Sequence, residues 1–264
     1  MANVAMLQQS GPVTSYSNIA LAGSCKQGIL KKLDNGYCEI ILGAFAAFGN
    51  GGWLYDARTA MRYIEQDRDF LALLQSGRLR SEWGHPRRLP GMTDQDWFIR
   101  ICEIMENNVS SHIRKISVSM NTVRDERGRM VVAVIGEVRP SGPHEGSFQR
   151  MLDNPDEDVN YSIRCFANKN FKMMTKHINR IITWDSVFDP GIKVATKYKT
   201  PSLESRAVTQ VLDDVEFNLD QLRQGLLDPA NAASFENMSP FVKVLDGLYE
   251  DTRVSIAMPT TLKW

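Results

Sequence analysis

Val159-Asn160-Tyr161-Ser162-Ile163-Arg164-Cys165 is the stretch on which the fold turns. Val159, Tyr161, Ile163 and Cys165 alternate with Asn160, Ser162 and Arg164, the period of two that a β-strand imposes on side chains. One face is therefore expected to enter a core, and the other to carry a serine beside a guanidinium. Similar patterning lies on both sides. Ile116, Val118 and Met120 alternate with Ser117, Ser119 and Asn121, and a Glu126-Arg127-Gly128 turn leads into Met130–Val138, the signature of an antiparallel hairpin. Ile178–Asp185 reads as a further strand closed by Asp189-Pro190-Gly191, and Tyr37–Phe48 as a buried strand stopped by Asn50-Gly51-Gly52.

Helical spacing separates these strands. Ala57, Ala60, Met61, Ile64, Leu71 and Leu74 recur at three- and four-residue steps, predicting one helix that stops at Gly77. Arg78 to Gly84 is then extended, because the proline of His85-Pro86 disfavours helix at the residue before it. Thr93 and Asp96 have capping-box spacing ahead of the stripe Trp97, Phe98, Ile101, Ile104 and Met105. Ser147–Leu152 reads as a short helix. After Thr200-Pro201, the stripe Val208, Val211, Leu212, Val215, Leu219, Leu222 and Leu226 predicts a helix to about Leu227, with another short one near Pro240–Leu248. The division expected is a loosely held arm over 1–36, an α+β core over 37–199 and a helical C-terminal region over 200–264.

Composition narrows the function classes. Thirty-one Lys+Arg balance thirty-one Asp+Glu in 264 residues, so a broad nucleic-acid or membrane-surface partner is not expected. No run approaches the roughly 18 apolar residues of a spanning helix, and MANVAMLQQSGPVTSYS has neither the basic nor the apolar region of a secretory signal. The chain reads as soluble and intracellular. Cys25, Cys38, Cys102 and Cys165 stand far apart, as reduced thiols rather than a disulfide frame. Paired His or Cys at ligand spacing are lacking, as are phosphate-loop, nucleophile-elbow and zinc-protease motifs, so neither metal nor cofactor is expected. Lys169, Lys172, Lys176, His177 and Arg180, with Phe171 among them, read as a solvated charged face.

Four strings remain: Trp83-Gly84-His85-Pro86, Val109-Ser110-Ser111-His112-Ile113, Tyr161-Ser162-Ile163-Arg164, and Thr183-Trp184-Asp185-Ser186-Val187 running into Asp189-Pro190-Gly191. Together and in this order they resemble the prohead maturation proteases of T-even-type tailed phages, serine peptidases of the herpesvirus assemblin-like fold. The resemblance covers about residues 37–199 and implies an antiparallel β-barrel-like core flanked by helices. It matches His85 to the family's catalytic histidine and Ser162 to its nucleophile. Two departures stand out: relatives often carry Ser-Ser-Arg-Gly where this chain has Ile163 for the second serine and Cys165 for the glycine, and the region from about 203 onward has no counterpart.

The residues themselves fit that chemistry. A serine hydroxyl needs a base, and imidazole, with an unperturbed pKa near 6.5, is the natural one near neutrality. Arg164, on the face of Ser162, is the candidate for oxyanion support with the nearby backbone. Three residues compete for the place that holds the imidazole in its tautomer. Asp185 comes first, since herpesvirus relatives place a second histidine at a comparable point after the serine strand. His112 and Glu82 are the alternatives.

The resemblance further implies cleavage of scaffold and major capsid proteins inside the prohead, in the host bacterial cytoplasm, after Glu with a small or aliphatic residue two positions upstream. It also implies frequent self-trimming, and leaves homo-oligomerisation open. Ser202-Leu203-Glu204 and Ser234-Phe235-Glu236 are candidate self-cleavage strings, no more frequent than chance but both outside the core. The 203–227 segment is thus either a removable or docking element or a helix that completes the core. Loss of the Ser-Ser-Arg-Gly string keeps a second class open, an inactive head- or scaffold-associated protein with a protease-like fold.

Overall fold

A computed structural model of the chain describes residues 13–17, 30–47, 52–125, 128–188, 215–228 and 238–257. In chain order the elements are β1 (Val13–Ser17), β2 (Lys31–Lys32), β3 (Cys38–Phe45), β4 (Leu54–Tyr55), α1 (Ala57–Gln66), α2 (Arg68–Gln75), β5 (Arg80–Glu82), α3 (Asp94–Cys102), β6 (Val109–Arg124), β7 (Met130–Pro140), α4 (Glu145–Asp153), β8 (Asn160–Asn170), β9 (Thr175–Val187), β10 (Val215–Asn218), α5 (Leu219–Leu227) and α6 (Ser239–Ala257). They form two five-stranded sheets, β10-β1-β8-β9-β4 and β2-β3-β7-β6-β5. All pairings are antiparallel except β4 with β9.

The alternation that opened the sequence decides the packing. Tyr161, Ile163 and Cys165 of β8 and Trp184 of β9 meet Ile40, Leu42 and Phe45 of β3 and Val134 and Val138 of β7 in the main core between the sheets. The register explains one irregularity there. Leu42 sits in a bulge between Ile41 and Gly43, and its side chain lies over Gly136, the partner of Ile40, where a Cβ would stand 2.5 Å from Leu42 Cδ1. Glycine at 136 is what lets the bulged leucine lie down on its neighbour strand.

The α+β class with antiparallel sheets and flanking helices holds; closure into a barrel is not seen. Among the described residues the sheets join by backbone hydrogen bonds at two places: Trp83 bridges Ser186 and the Gly84 N–H donates to the Ser186 carbonyl at 2.7 Å, and just past β3 the Ala46 N–H donates to the Tyr55 carbonyl at 2.8 Å while the Tyr55 N–H donates to the Ala47 carbonyl at 3.1 Å. The outer strands β2 and β10, of two and four residues, are not paired with each other among the described residues.

Three local expectations change. The helix predicted from Ala57 to Leu74 is two, because Asp67 leaves the helical region and its carboxylate accepts from the Phe70 N–H to start α2. The stretch read as a loose arm supplies β1, an inner strand between β8 and β10. Val215–Asn218 is a strand rather than helix: it pairs with β1, and the Asn218 side chain then caps α5. Residues 189–214 and 229–237, which hold the closing Asp189-Pro190-Gly191, the helix start at Pro201 and both candidate cleavage strings, lie outside the described residues.

A second apolar cluster covers the other face of the β1–β8–β9 sheet. Trp97, Phe98 and Ile101 of α3 pack with Phe166, Ile182, Phe217 and the inner faces of α5 and α6. The Thr93–Asp96 capping box is present as read, so α3 is fixed at its start and along one side. No helix among the described residues is long and apolar enough to cross a membrane.

Candidate active site

Strand register brings the first two candidates together. On the β8–β9 ladder Ser162 lies directly opposite Asp185, and Arg164 opposite Thr183. The chain leaves β5 at Glu82, turns through Trp83 and Gly84 (φ 80°), and brings His85 to Asp185. The left-handed backbone at Gly84 favours glycine, which is why Gly-His-Pro is a workable string here. His85 Nδ1 stands 2.8 Å from Asp185 Oδ2. Its Nε2 is buried and has no hydrogen-bond partner among the described residues. The His85 side chain is 6% exposed, Ser162 3% and Asp185 0%, so all three sit beneath the surface.

Asp185 is held from every side. Its Oδ1 accepts from the Glu82 N–H at 3.1 Å and from Arg164 Nη2 at 2.7 Å, and its Oδ2 accepts from Arg164 Nε at 2.8 Å besides facing His85. Burial pushes the Asp185 carboxyl up, but the Arg164 charge and the His85 bond outweigh it, and the group is held below the usual carboxylate range. Arg164 itself is wholly buried. Its Nη1 donates to the Glu103 carbonyl at 2.8 Å and the Ile101 carbonyl at 3.4 Å. The guanidinium expected to support an oxyanion thus lies against Asp185 and the α3 end, a holder of the carboxylate.

Glu82 and His112 face elsewhere. The Glu82 carboxylate accepts from Arg100 at 2.6 and 3.0 Å, from the Met105 N–H at 2.8 Å and from Asn108 Nδ2 at 3.1 Å, with Arg164 Nη2 at 3.3 Å. Burial pushes Glu82 up, and Arg100 and Arg164 more than reverse it. His112 is on β6, its Nδ1 2.7 Å from the Tyr37 hydroxyl, and burial with the Arg80 charge beside it lowers its pKa. Among the three candidates, Asp185 is the one in contact with His85.

Sequence reading missed Arg100, Asn108 and Ser186. Ser186 Oγ donates to the Glu82 carbonyl at 3.0 Å and pairs with Ser110 Oγ at 2.8 Å, fastening β5 to β9 beside the site. Arg100 stands on the polar side of the α3 stripe, which marks a solvent-facing cation as well as it marks a partner. Among the described residues no group of His, Cys, Asp and Glu could hold a metal ion.

The lowered carboxyls carry a pH consequence. For Asp185 and Glu82 the folded pKa lies below the unfolded values of about 3.9 and 4.3. Their stabilisation is therefore present above those values and is lost as pH falls through the folded ones. Thermal melting followed by circular dichroism is expected to hold level from pH 7 to about 5 and to drop steeply below about pH 4. A melting point unchanged down to pH 3 would contradict it.

A family model described as the Peptidase S80 family matches residues 16–244. A capsid maturation protease of Pseudomonas phage phiKZ is 29% identical over 189 residues, which cover 70% of this chain and 69% of that protein. Among solved structures, the bacteriophage T4 capsid assembly protease gp21 aligns with 66% of this chain and 96% of its own, at 13% identity and a TM-score of 0.39.

Proposed function

The chain belongs to the peptidase S80 family, and from that premise we propose that it is a serine endopeptidase of phage head maturation, cutting scaffold and capsid proteins after Glu inside the prohead. The observation that carries the catalytic assignment is the 2.8 Å contact of His85 with Asp185, on the strand position facing Ser162. The phiKZ relative is named for capsid maturation, which supports the substrate class.

Asp185, ionised, accepts from His85 Nδ1–H and so leaves the lone pair on Nε2. Nε2 takes the Ser162 proton as Oγ bonds to the scissile carbonyl carbon. The tetrahedral intermediate collapses, the C–N bond breaks, and His85 returns the proton to the leaving amine. Water repeats the sequence on the acyl-enzyme, with His85 again as base. With Arg164 engaged by Asp185, oxyanion stabilisation falls to backbone N–H groups near Ser162 and Arg164.

The burial of Ser162 favours a second reading, a closed precursor or an inactive head-associated protein. Intact mass followed over time distinguishes these, for wild type and Ser162→Ala side by side, alone and with added scaffold protein. Mass loss or scaffold cleavage in wild type only, with new C-termini at Glu, is the expected result. Cleavage in both proteins would remove Ser162 from the mechanism, and cleavage in neither would leave the inactive reading.

A further inference from the structure

We propose that Glu82 and Arg100 are positioning residues for the His85–Asp185 pair, acting through Arg164; this rests on the catalytic reading above and extends it to two residues that touch no substrate. The geometry is a continuous run of contacts. Arg100 grips the Glu82 carboxylate through two nitrogens, Glu82 meets Arg164 at 3.3 Å, Arg164 grips both oxygens of Asp185, and Asp185 faces His85. Glu82 enters the chain twice, since its backbone N–H also donates to Asp185.

Two features set this apart from an incidental ion cluster. First, the charges balance: two guanidiniums face two carboxylates, three of the four groups wholly buried and the Arg100 side chain 14% exposed. If Arg164 faced Asp185 alone, its full charge would offset the carboxylate that stabilises the imidazolium formed during the reaction. Glu82 balances Arg164, and Arg100 in turn balances Glu82. Second, the run ties four elements together. Glu82 is on β5, Arg100 on α3, Arg164 on β8 and Asp185 on β9, while Met105 and Asn108 bring in the segment after α3. A shift of α3 therefore moves the carboxylate that aims His85, and misplacement by an ångström is enough to cost about 10²-fold in rate.

The signs of the expected effects are opposite for the two residues. Removing the Arg100 charge leaves the surroundings of His85 more negative and favours the imidazolium. Removing the Glu82 charge does the reverse. The other charged groups near His85 are Asp185 and Arg164 beneath it, Arg87 and Arg88 on its own loop, Asp94 at the start of α3 paired with Arg88, and Glu103 just past α3, and none of these is substituted in the variants.

The test uses the full chain. The His85 ring resonances are titrated by NMR in a Ser162→Ala background, and kcat and KM are measured against pH with Ser162 intact, on a protein substrate. Arg100→Gln is expected to lower kcat about tenfold with KM within about twofold, and to move both the His85 titration and the acid limb of kcat/KM to higher pH. Arg100→Lys, which keeps the charge but not the two-pronged grip, is expected to lose rate and keep the titration in place. Glu82→Gln, if it folds, is expected to move the titration down; Arg100→Gln carries the test if it does not. A lower melting point for Arg100→Gln with kcat and titration unchanged would overturn the proposal and leave the catalytic reading standing. Activity surviving in Ser162→Ala would overturn that reading instead, and the His85 titration would still decide whether the charge run acts on the imidazole.

Discussion

Asp185→Asn is expected to lower kcat by about 10⁴-fold on the folded protein. An amide at 185 can offer its NH₂ to His85 Nδ1, which moves the ring proton to Nε2 and blocks the acceptance of the Ser162 proton. It also withdraws the negative charge that stabilises the imidazolium. A structural penalty accompanies the kinetic one. Arg164, wholly buried, would keep Glu82 as its remaining carboxylate, and Glu82 is already shared with Arg100. Breaking a buried pair by neutralising one partner costs about 3–5 kcal/mol. The two effects separate by measurement: kcat is read well below the melting point, and the stability loss from a denaturant midpoint. A rate within tenfold of wild type on verified folded protein would remove Asp185 from the mechanism.

How much of this could be read beforehand depends on the range of the signal. The Ser162/Arg164 face followed from strand alternation over seven residues, and the extended approach to His85 from the proline after it. The capping box at Thr93 and Asp96 is equally local. The β8–β9 register was not legible: a regular ladder from Asn170 opposite Thr175 would set Ser162 against Thr183, and two irregularities, between Arg164 and Cys165 and between Phe166 and Ala167, bring Asp185 there instead. What escaped reading is non-local or ambiguous. Nothing in sequence joins Arg100 to Glu82, 18 residues away across a loop. Arg164 beside Ser162 suggested a cation for the oxyanion, because sequence gives the face and not where a long side chain ends. Val215, Phe217 and Leu219 fit a strand by twos as readily as Val215, Leu219 and Leu222 fit a helix. Pairing with β1, a strand hidden in a Gly- and Ser-rich stretch, decided between them. The resemblance implied an antiparallel barrel-like core, and two five-stranded sheets are what the described residues show.

A chain ending at Thr200 is expected to be insoluble or to lose its cooperative melt. It lacks β10, α5 and α6, which put Phe217, Leu219, Leu222, Leu226, Phe241, Val244, Leu245 and Leu248 into the second apolar cluster. At about 1.5–3 kcal/mol for each of these buried side chains, that is about 12–24 kcal/mol of burial. Net stability of a domain is about 5–15 kcal/mol. What remains is also damaged: β1 loses a partner strand, and Trp97, Phe98, Ile101, Phe166 and Ile182 lose their cover. Because α3 carries both that apolar face and Arg100, loosening it reaches the Glu82–Arg164–Asp185 run. A simple pro-segment would behave in the opposite way, its removal leaving a soluble and more active enzyme. A cut after Glu204 that leaves both pieces present is a different case, since β10 and the following helices stay docked by the same contacts. The measurements are soluble yield, circular-dichroism melting and scaffold cleavage for the chain ending at Thr200, beside the full chain. A soluble truncated protein that melts cooperatively and cleaves scaffold would establish the C-terminal region as removable, and would refute its place in the core.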